Sequence, residues 1–297
     1  MDNQQMAETI RSGHGFIAAL DQSGGSTPGA LKGYGIADDA YANDAEMYAL
    51  IHAMRTRIIT SPCFGGGKVI GAILFERTMD GDADGQPVPN LLKARGVVPF
   101  LKVDQGLEDE ADGVKLMKPM PALDALLDRA IAKGMFGTKM RSVIEHASPS
   151  GIAAIVRQQF EVADQISAKG LMPIIEPEVS IKAPHRDAAD RMLLGELIKA
   201  LDALAQGHQV MLKLTLPAQA NLFAPLVDHP AVLRVVALSG GFSRAEACAQ
   251  LSQNRGMIAS FSRALLSDLR VQMSDEEFNA TLGAAIDEIS AASVPES

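Results

Sequence analysis

Apolar positions along the chain follow two rhythms. Short, near-continuous apolar runs recur at Gly15–Asp21, Val69–Glu76, Val97–Asp104, Met135–Arg141, Leu171–Val179, Val210–Leu216, Leu233–Gly240 and Met257–Ser262, each bounded by Gly, Pro or polar residues. Runs of this length predict strands, and apolar character at nearly every position predicts parallel strands covered on both faces. Between them the apolar residues step by threes and fours. Ile152, Ile155, Val156, Ala163 and Ile166 form one stripe, interrupted by Gln159 and preceded by the cap and first-turn pair Ser148-Pro149. Leu193, Leu194, Leu197, Ile198, Leu201 and Leu204 form another, opened by Asp187. Helices are also predicted over Asp44–Ile58, Ala122–Lys133, Arg244–Gln253 and Asp275–Ile289. The segment from Phe75 to Val97 is polar and rich in Gly and Pro, and no helix is predicted there.

Eight strands alternating with helices over 297 residues most simply close into an α/β fold, a (β/α)8 TIM barrel. No linker or break in composition divides the chain, so residues 1–297 are expected to form a single catalytic domain. A doubly wound open sheet would place a G-x-G-x-x-G turn after the first strand. Asp21-Gln22-Ser23-Gly24-Gly25-Ser26 stands there instead and lacks that spacing.

Composition narrows the function classes. A hydrophobic share of 47% with 21% charged residues argues against disorder, and a chain this long needs no disulfide or metal to complete its core. Net charge −9 and a pI near 5.2 make nucleic acid and anionic lipid unexpected partners. No apolar run approaches the ~18–20 residues that span a bilayer, and Met1–Gln5 carries no export signal, so no membrane partner is expected. Cys63 and Cys248 lie far apart and belong to no paired motif, which fits a reducing cytoplasm. His14, His52, His146, His185, His208 and His229 show no metal-ligand spacing, and neither metal nor cofactor is expected.

The candidate chemistry lies at the C-terminal ends of the predicted strands, where barrel active sites are built. Asp21 closes the first strand, Glu76 the second, Lys102 and Asp104 the third, Lys139 and Arg141 the fourth, and Glu176 and Glu178 the fifth. Residues two apart in a strand share a face, so each of the last three pairs projects together. Purely structural buried ion pairs are expensive, and so many at strand ends are better explained by a substrate site. Lys213 interrupts the otherwise apolar Val210–Leu216. Burial and neighbouring cations there favour a neutral amine able to attack a ketone, and a structural pairing with Glu176 or Glu178 is compatible with that role. Ser239-Gly240-Gly241-Phe242-Ser243 after the seventh strand, with Arg263 after the eighth, fits a phosphate-binding turn, although Gly-Gly also suits an ordinary strand-to-helix turn. Ser23-Gly24-Gly25-Ser26 is a candidate second phosphate contact. Gly65-Gly66-Gly67 precedes a strand and reads as a plain turn.

Taken in order, Gly15–Gly25, Val97–Asp104, Gly137-Thr138-Lys139-Met140-Arg141, Pro173–Glu178, Met211–Leu214, Leu238–Gly241 and Ser260–Leu265 resemble the class I fructose-bisphosphate aldolases, in particular their short bacterial branch, over nearly the whole chain. The resemblance implies a metal-independent Schiff-base enzyme that reversibly cleaves fructose 1,6-bisphosphate to dihydroxyacetone phosphate and glyceraldehyde 3-phosphate in glycolysis and gluconeogenesis. It implies Lys213 as the imine-forming lysine, Glu176 as proton acceptor and relay, and Glu178 as its helper in carbinolamine dehydration. Asp21 would orient the substrate hydroxyls and assist carbon–carbon cleavage, and Lys139 would shape the electrostatics of the imine, with Arg141 beside it. Ser239, Gly240, Gly241 and Arg263 would hold the ketone-side phosphate, and Ser23, Ser26 and Lys102 would contact the other half. The expected partner is a small sugar phosphate, and the chain is expected to be a homo-oligomer. The sequence departs from longer animal-type members in two places. Tyr34, Tyr41 and Tyr48 are its only tyrosines, so the tail 291–297 lacks a C-terminal one, leaving Glu176 as candidate for the enamine proton; and Gln22 stands where those members have an acid. A different imine-forming aldolase or transaldolase, a metal-dependent aldolase and a non-catalytic sugar-phosphate binder are the competing readings.

Overall fold

The computed structural model describes residues 1–293. Its main sheet carries eight parallel strands in chain order: β1 (Phe16–Leu20), β2 (Val69–Leu74), β3 (Val98–Lys102), β4 (Gly137–Ile144), β5 (Met172–Val179), β6 (Val210–Thr215), β7 (Val232–Leu238) and β8 (Ile258–Ala259). Each pairs with its successor, and the Ala19 amide donates to the Phe261 carbonyl at 3.1 Å, which brings β8 back to β1 and nearly closes the barrel. Each coincides with a predicted run, although β4 continues three residues past Arg141 and β7 begins one residue before Leu233. The helices are α1 (Asn3–Ser12), α2 (Thr27–Gly33), α3 (Asp44–Thr60), α4 (Glu76–Asp80), α5 (Val88–Ala94), α6 (Leu123–Ala132), α7 (Pro149–Ala168), α8 (Arg186–Asp202), α9 (Ala224–Val227), α10 (Arg244–Leu251), α11 (Arg263–Leu266) and α12 (Asp275–Ser293). The Ser148 hydroxyl accepts from the Gly151 amide at 3.2 Å and caps α7, as its place before Pro149 predicts.

The apolar strands serve two cores. Phe16, Ala18 and Leu20 pack outward among the helices, whereas Ile17 and Ala19 join Val98, Phe100, Ile174, Met211, Val236 and Ile258 in a separate cluster inside the barrel. Period-two alternation between two dry faces explains why these strands read as unbroken apolar runs. Phe100 and Phe136 meet edge to face inside, with ring centroids 5.5 Å apart. Two residues further along the same faces, the series changes character: Ala19 leads to Asp21, Phe100 to Lys102, Ile174 to Glu176 and then Glu178, and Met211 to Lys213. An apolar plug thus fills one end of the barrel and charge lines the other.

Besides the short helices α2, α9 and α11, which no predicted segment contains, three features differ from the sequence reading. Helix α1 was not anticipated; Asp2 and Gln5 form a capping box at its start, and Met6 and Ile10 drive into the inner core, closing the end of the barrel opposite the charges. The segment Phe75–Val97, expected to lack helix, holds α4, the two-stranded hairpin Asp82–Ala83/Gln86–Pro87 and α5. Finally, Glu76 does not close β2 at the mouth: it opens α4 and pairs outside the barrel with Arg129 of α6. The tail 291–297 can be followed only through Ser293; residues 294–297 lie outside those described.

Candidate active site

A cavity of about 740 Å³ opens at the charged end, lined among others by Asp21, Ser26, Lys102, Lys139, Arg141, Glu176, Glu178, Lys213, Ser239, Gly240 and Arg263. The expected strand-end residues therefore converge, Glu76 excepted. Ser23 and Gly241 do not line it. The Ser23 amide donates to Ser26 Oγ at 3.0 Å, and that hydroxyl donates back to the Ser23 carbonyl at 2.9 Å, so this pair first stabilises its own turn.

Glu176 is the hub. Its Oε1 lies 3.1 Å from Lys213 Nζ and its Oε2 3.1 Å from Lys139 Nζ, while its amide donates to Gln159 Oε1 at 2.9 Å from α7. Lys139 also meets Asp21 at 2.7 Å and Asp104 at 3.9 Å, and Asp104 in turn meets Lys102 at 2.7 Å. Arg141 Nε donates to Glu178 at 2.5 Å. Asp21, Asp104, Lys139, Glu176 and Lys213 are all buried.

Burial this deep would neutralise isolated charges. At Lys139 burial opposes the ammonium, but Asp21, Glu176 and Asp104 outweigh it and hold the pKa above the ordinary 10.5. At Asp21 burial favours the neutral acid, yet Lys139, Lys213 and Lys102 outweigh it and hold the carboxyl below the usual 3.8. Burial likewise opposes the Arg141 charge, and Glu178 more than restores it. Four carboxylates thus face four cations in one low-dielectric network. The two lysines beside Glu176 differ in consequence. Lys139 is clamped by three carboxylates, whereas Lys213 contacts Glu176 alone among the described residues.

Across the cavity, Gly240 and Gly241 adopt φ +62° and +115°, a left-handed turn that a side chain resists. A Cβ on Gly240 would lie 2.8 Å from Ile181 Cγ2. Neither glycine amide makes a hydrogen bond among the described residues, and Arg263, exposed at the start of α11, has no ion-pair partner there. Unspent amides beside an unpaired guanidinium suit a phosphate. Gly65, Gly66 and Gly67 also have positive φ, but they form the expected turn ahead of β2 and do not line this cavity.

Sequence reasoning missed Arg55. It is 1% exposed in α3, with Nη1 donating to Thr78 Oγ1 at 2.9 Å and Nη2 to Gln22, the neighbour of Asp21. Burial pulls its pKa down to about 10 despite help from Asp21 and Tyr48. The signal was there: Arg55 continues the stripe Met47, Ile51 and Ile58 at steps of four, four and three. Tyr34, Met54 and Leu269, which give the cavity an apolar side, were not singled out as site residues in the sequence.

Comparison with known proteins follows the same line. The family profile "Fructose-bisphosphate aldolase class-I" matches residues 4–230. A "Fructose-bisphosphate aldolase class 1" of Synechocystis sp. is 56% identical over 293 residues, covering 98% of each chain. Among solved structures, the fructose-bisphosphate aldolase of Plasmodium falciparum, in a ternary complex with TRAP and a small-molecule inhibitor, superposes with TM-score 0.80 at 21% identity, covering 98% of this chain and 94% of that one. The Cgl0159 protein of Corynebacterium glutamicum superposes with TM-score 0.54 at 13% identity, covering 98% and 92%. The two structural likenesses speak for the barrel fold; the profile and the Synechocystis relative speak for descent. With a buried lysine–glutamate pair at the mouth of such a barrel, this chain belongs to the class I fructose-bisphosphate aldolase family.

Proposed function

We propose that the chain carries out the aldolase reaction of its family, reversible cleavage of fructose 1,6-bisphosphate, through an imine on Lys213. The observation that carries this reading is the unequal pair around Glu176. A nucleophilic amine must give up its proton, and Lys213, with one carboxylate contact at 3.1 Å, can do so without dismantling the three ion pairs that fix Lys139.

In this scheme the Lys213 ammonium gives one proton to Glu176, the neutral amine adds to the ketone carbon, and a second nitrogen proton moves to the former ketone oxygen to complete the carbinolamine. The carbinolamine then loses its hydroxyl as water, with the proton for that departure returned from Glu176. The product iminium keeps the positive charge that the Lys213 ammonium supplied, so the balanced network is not disturbed. The iminium takes up the electron pair of the breaking C3–C4 bond, which makes it the electrophile of the reaction. The C4 hydroxyl proton passes to Glu176, ionised again after the dehydration, as the aldehyde forms. Asp21, held ionised beside Lys139, accepts a hydrogen bond from that hydroxyl. The enamine is protonated at C3, for which Glu176 is the nearest candidate, and hydrolysis frees Lys213. Ser239, Gly240, Gly241 and Arg263 receive the ketone-side phosphate; Ser23, Ser26 and Lys102 serve the other half. Glu178, tied to Arg141, assists dehydration from the rim.

The test is turnover with chelator present. Lys213→Met is expected to abolish cleavage, and Glu176→Gln to slow it by about 10²–10⁴-fold. Near-wild-type rates in either would overturn the assignment. The whole chain is proposed to act as one catalytic unit on a sugar phosphate in the cytoplasm, a setting supported by its two free cysteines and by the absence of any membrane-length apolar helix among the described residues. Assembly as a homo-oligomer is carried forward as a proposal, and light scattering that returns the 31.4 kDa monomer would refute it.

A further inference from the structure

Gln22 takes no part in the chemistry above, yet its carbonyl and both polar atoms of its side chain are engaged. Nε2 donates to Ser262 Oγ at 2.6 Å, Oε1 accepts from Arg55 Nη2 at 3.3 Å, and the same Nη2 donates to the Gln22 carbonyl. The Gln22 amide therefore crosses from the loop after β1 to the loop after β8. That seam is thin, because β8 is two residues long and joins β1 through the Ala19–Phe261 hydrogen bond.

Both ends of the connection abut functional residues. Gln22 follows Asp21, and Ser262 precedes Arg263. Ser262 stands at the N-cap of α11 but does not cap it, so its hydroxyl is free to receive Gln22. Behind Gln22, Arg55 is buried with no carboxylate in ion-pair distance among the described residues. An unpaired buried cation is a poor device for stability, since an apolar side chain of similar volume would avoid its desolvation cost. What it supplies is direction: one guanidinium fixes both the main chain and the side chain of Gln22.

We propose that Gln22, backed by Arg55, is a positioning residue that clasps the β1–β8 seam and sets the distance between Asp21 and Arg263. The inference rests on the aldolase reading above. A bisphosphate must satisfy the hydroxyl-binding carboxylate and the phosphate-binding guanidinium together, whereas dihydroxyacetone phosphate, which has no C4 hydroxyl, needs Lys213, the phosphate turn and Arg263 but not their spacing from Asp21.

Replacing Arg55 risks unfolding, so the test uses Gln22→Met, Ser262→Ala and the double variant. Each single change is expected to lower kcat/KM for fructose 1,6-bisphosphate about tenfold. Borohydride trapping of dihydroxyacetone phosphate on Lys213 should stay within about twofold of wild type. The double variant should be no worse than the poorer single, because both break one hydrogen bond. Bisphosphate cleavage within about twofold of wild type, multiplying defects in the double variant, or equal loss of trapping and cleavage would each overturn the clasp. Failure of the wild type to trap substrate on Lys213 would instead overturn the aldolase reading on which it rests.

Discussion

Lys139 and Lys213 share Glu176, one on each oxygen, and their different roles follow from everything else they touch. Removing Lys139 strands Asp21 in a buried site and takes one of two cations from Glu176, so Lys139→Met should cost about 3–5 kcal/mol of stability, read as a fall in denaturant midpoint. The pH dependence gives a sharper check. In the wild type the Asp21 carboxyl lies below 3.8, so its contribution is complete above that value and is lost only as pH falls through and beneath it. Lys139 lies above 10.5, so its contribution is complete below that value and is lost as pH rises past it. Without Lys139, burial is free to raise the Asp21 pKa, and the variant should gain stability relative to wild type when pH is lowered from about 7 to about 5. A constant gap in Tm over that range would contradict the network. These residues were legible from sequence because a charge inside an apolar strand is conspicuous. Arg55 was hidden by the helical setting, where one cation on an apolar stripe looks like a surface residue, and Glu76 misled because a strand end was placed two residues too late.

Among the elements, strands were easier to read than short helices. The eight runs showed through because both faces of a parallel barrel strand are dry. Helices α4 and α5 are five and seven residues long, too short to display a period, and the hairpin between them was marked only by Asp84-Gly85, both at positive φ. Helix α1 was missed because only Met6 and Ile10 of its ten residues are buried. Yet it plugs the barrel, and Ile10→Ala should cost about 2–5 kcal/mol through the cavity it leaves. Because this plug sits at the end remote from the chemistry, kcat should be unchanged; a proportional loss of activity in folded protein would mean the two ends are coupled. The phosphate turn makes the opposite case. Gly240→Ala forces a Cβ to within 2.8 Å of Ile181 Cγ2 at φ +62°. It should raise KM for the bisphosphate about tenfold with a much smaller change in kcat, and an unchanged KM would move the phosphate elsewhere.

Across the whole molecule, a net charge of −9 coexists with a proposed site for a sugar carrying two phosphates. The resolution is local: within the buried network the carboxylates are answered one for one, and Arg263 has no ion-pair partner among the described residues, as its proposed phosphate role requires. The barrel supplies this arrangement by carrying alternate residues of eight strands to one rim, so charges up to 192 residues apart, from Asp21 to Lys213, meet in a single network. The most direct measurement of the central claim is covalent. Protein incubated with dihydroxyacetone phosphate and chelator, reduced with borohydride and mapped by peptide mass spectrometry, should carry one adduct, on Lys213. An adduct on Lys102 or Lys139, or none in protein shown to be folded, would contradict it.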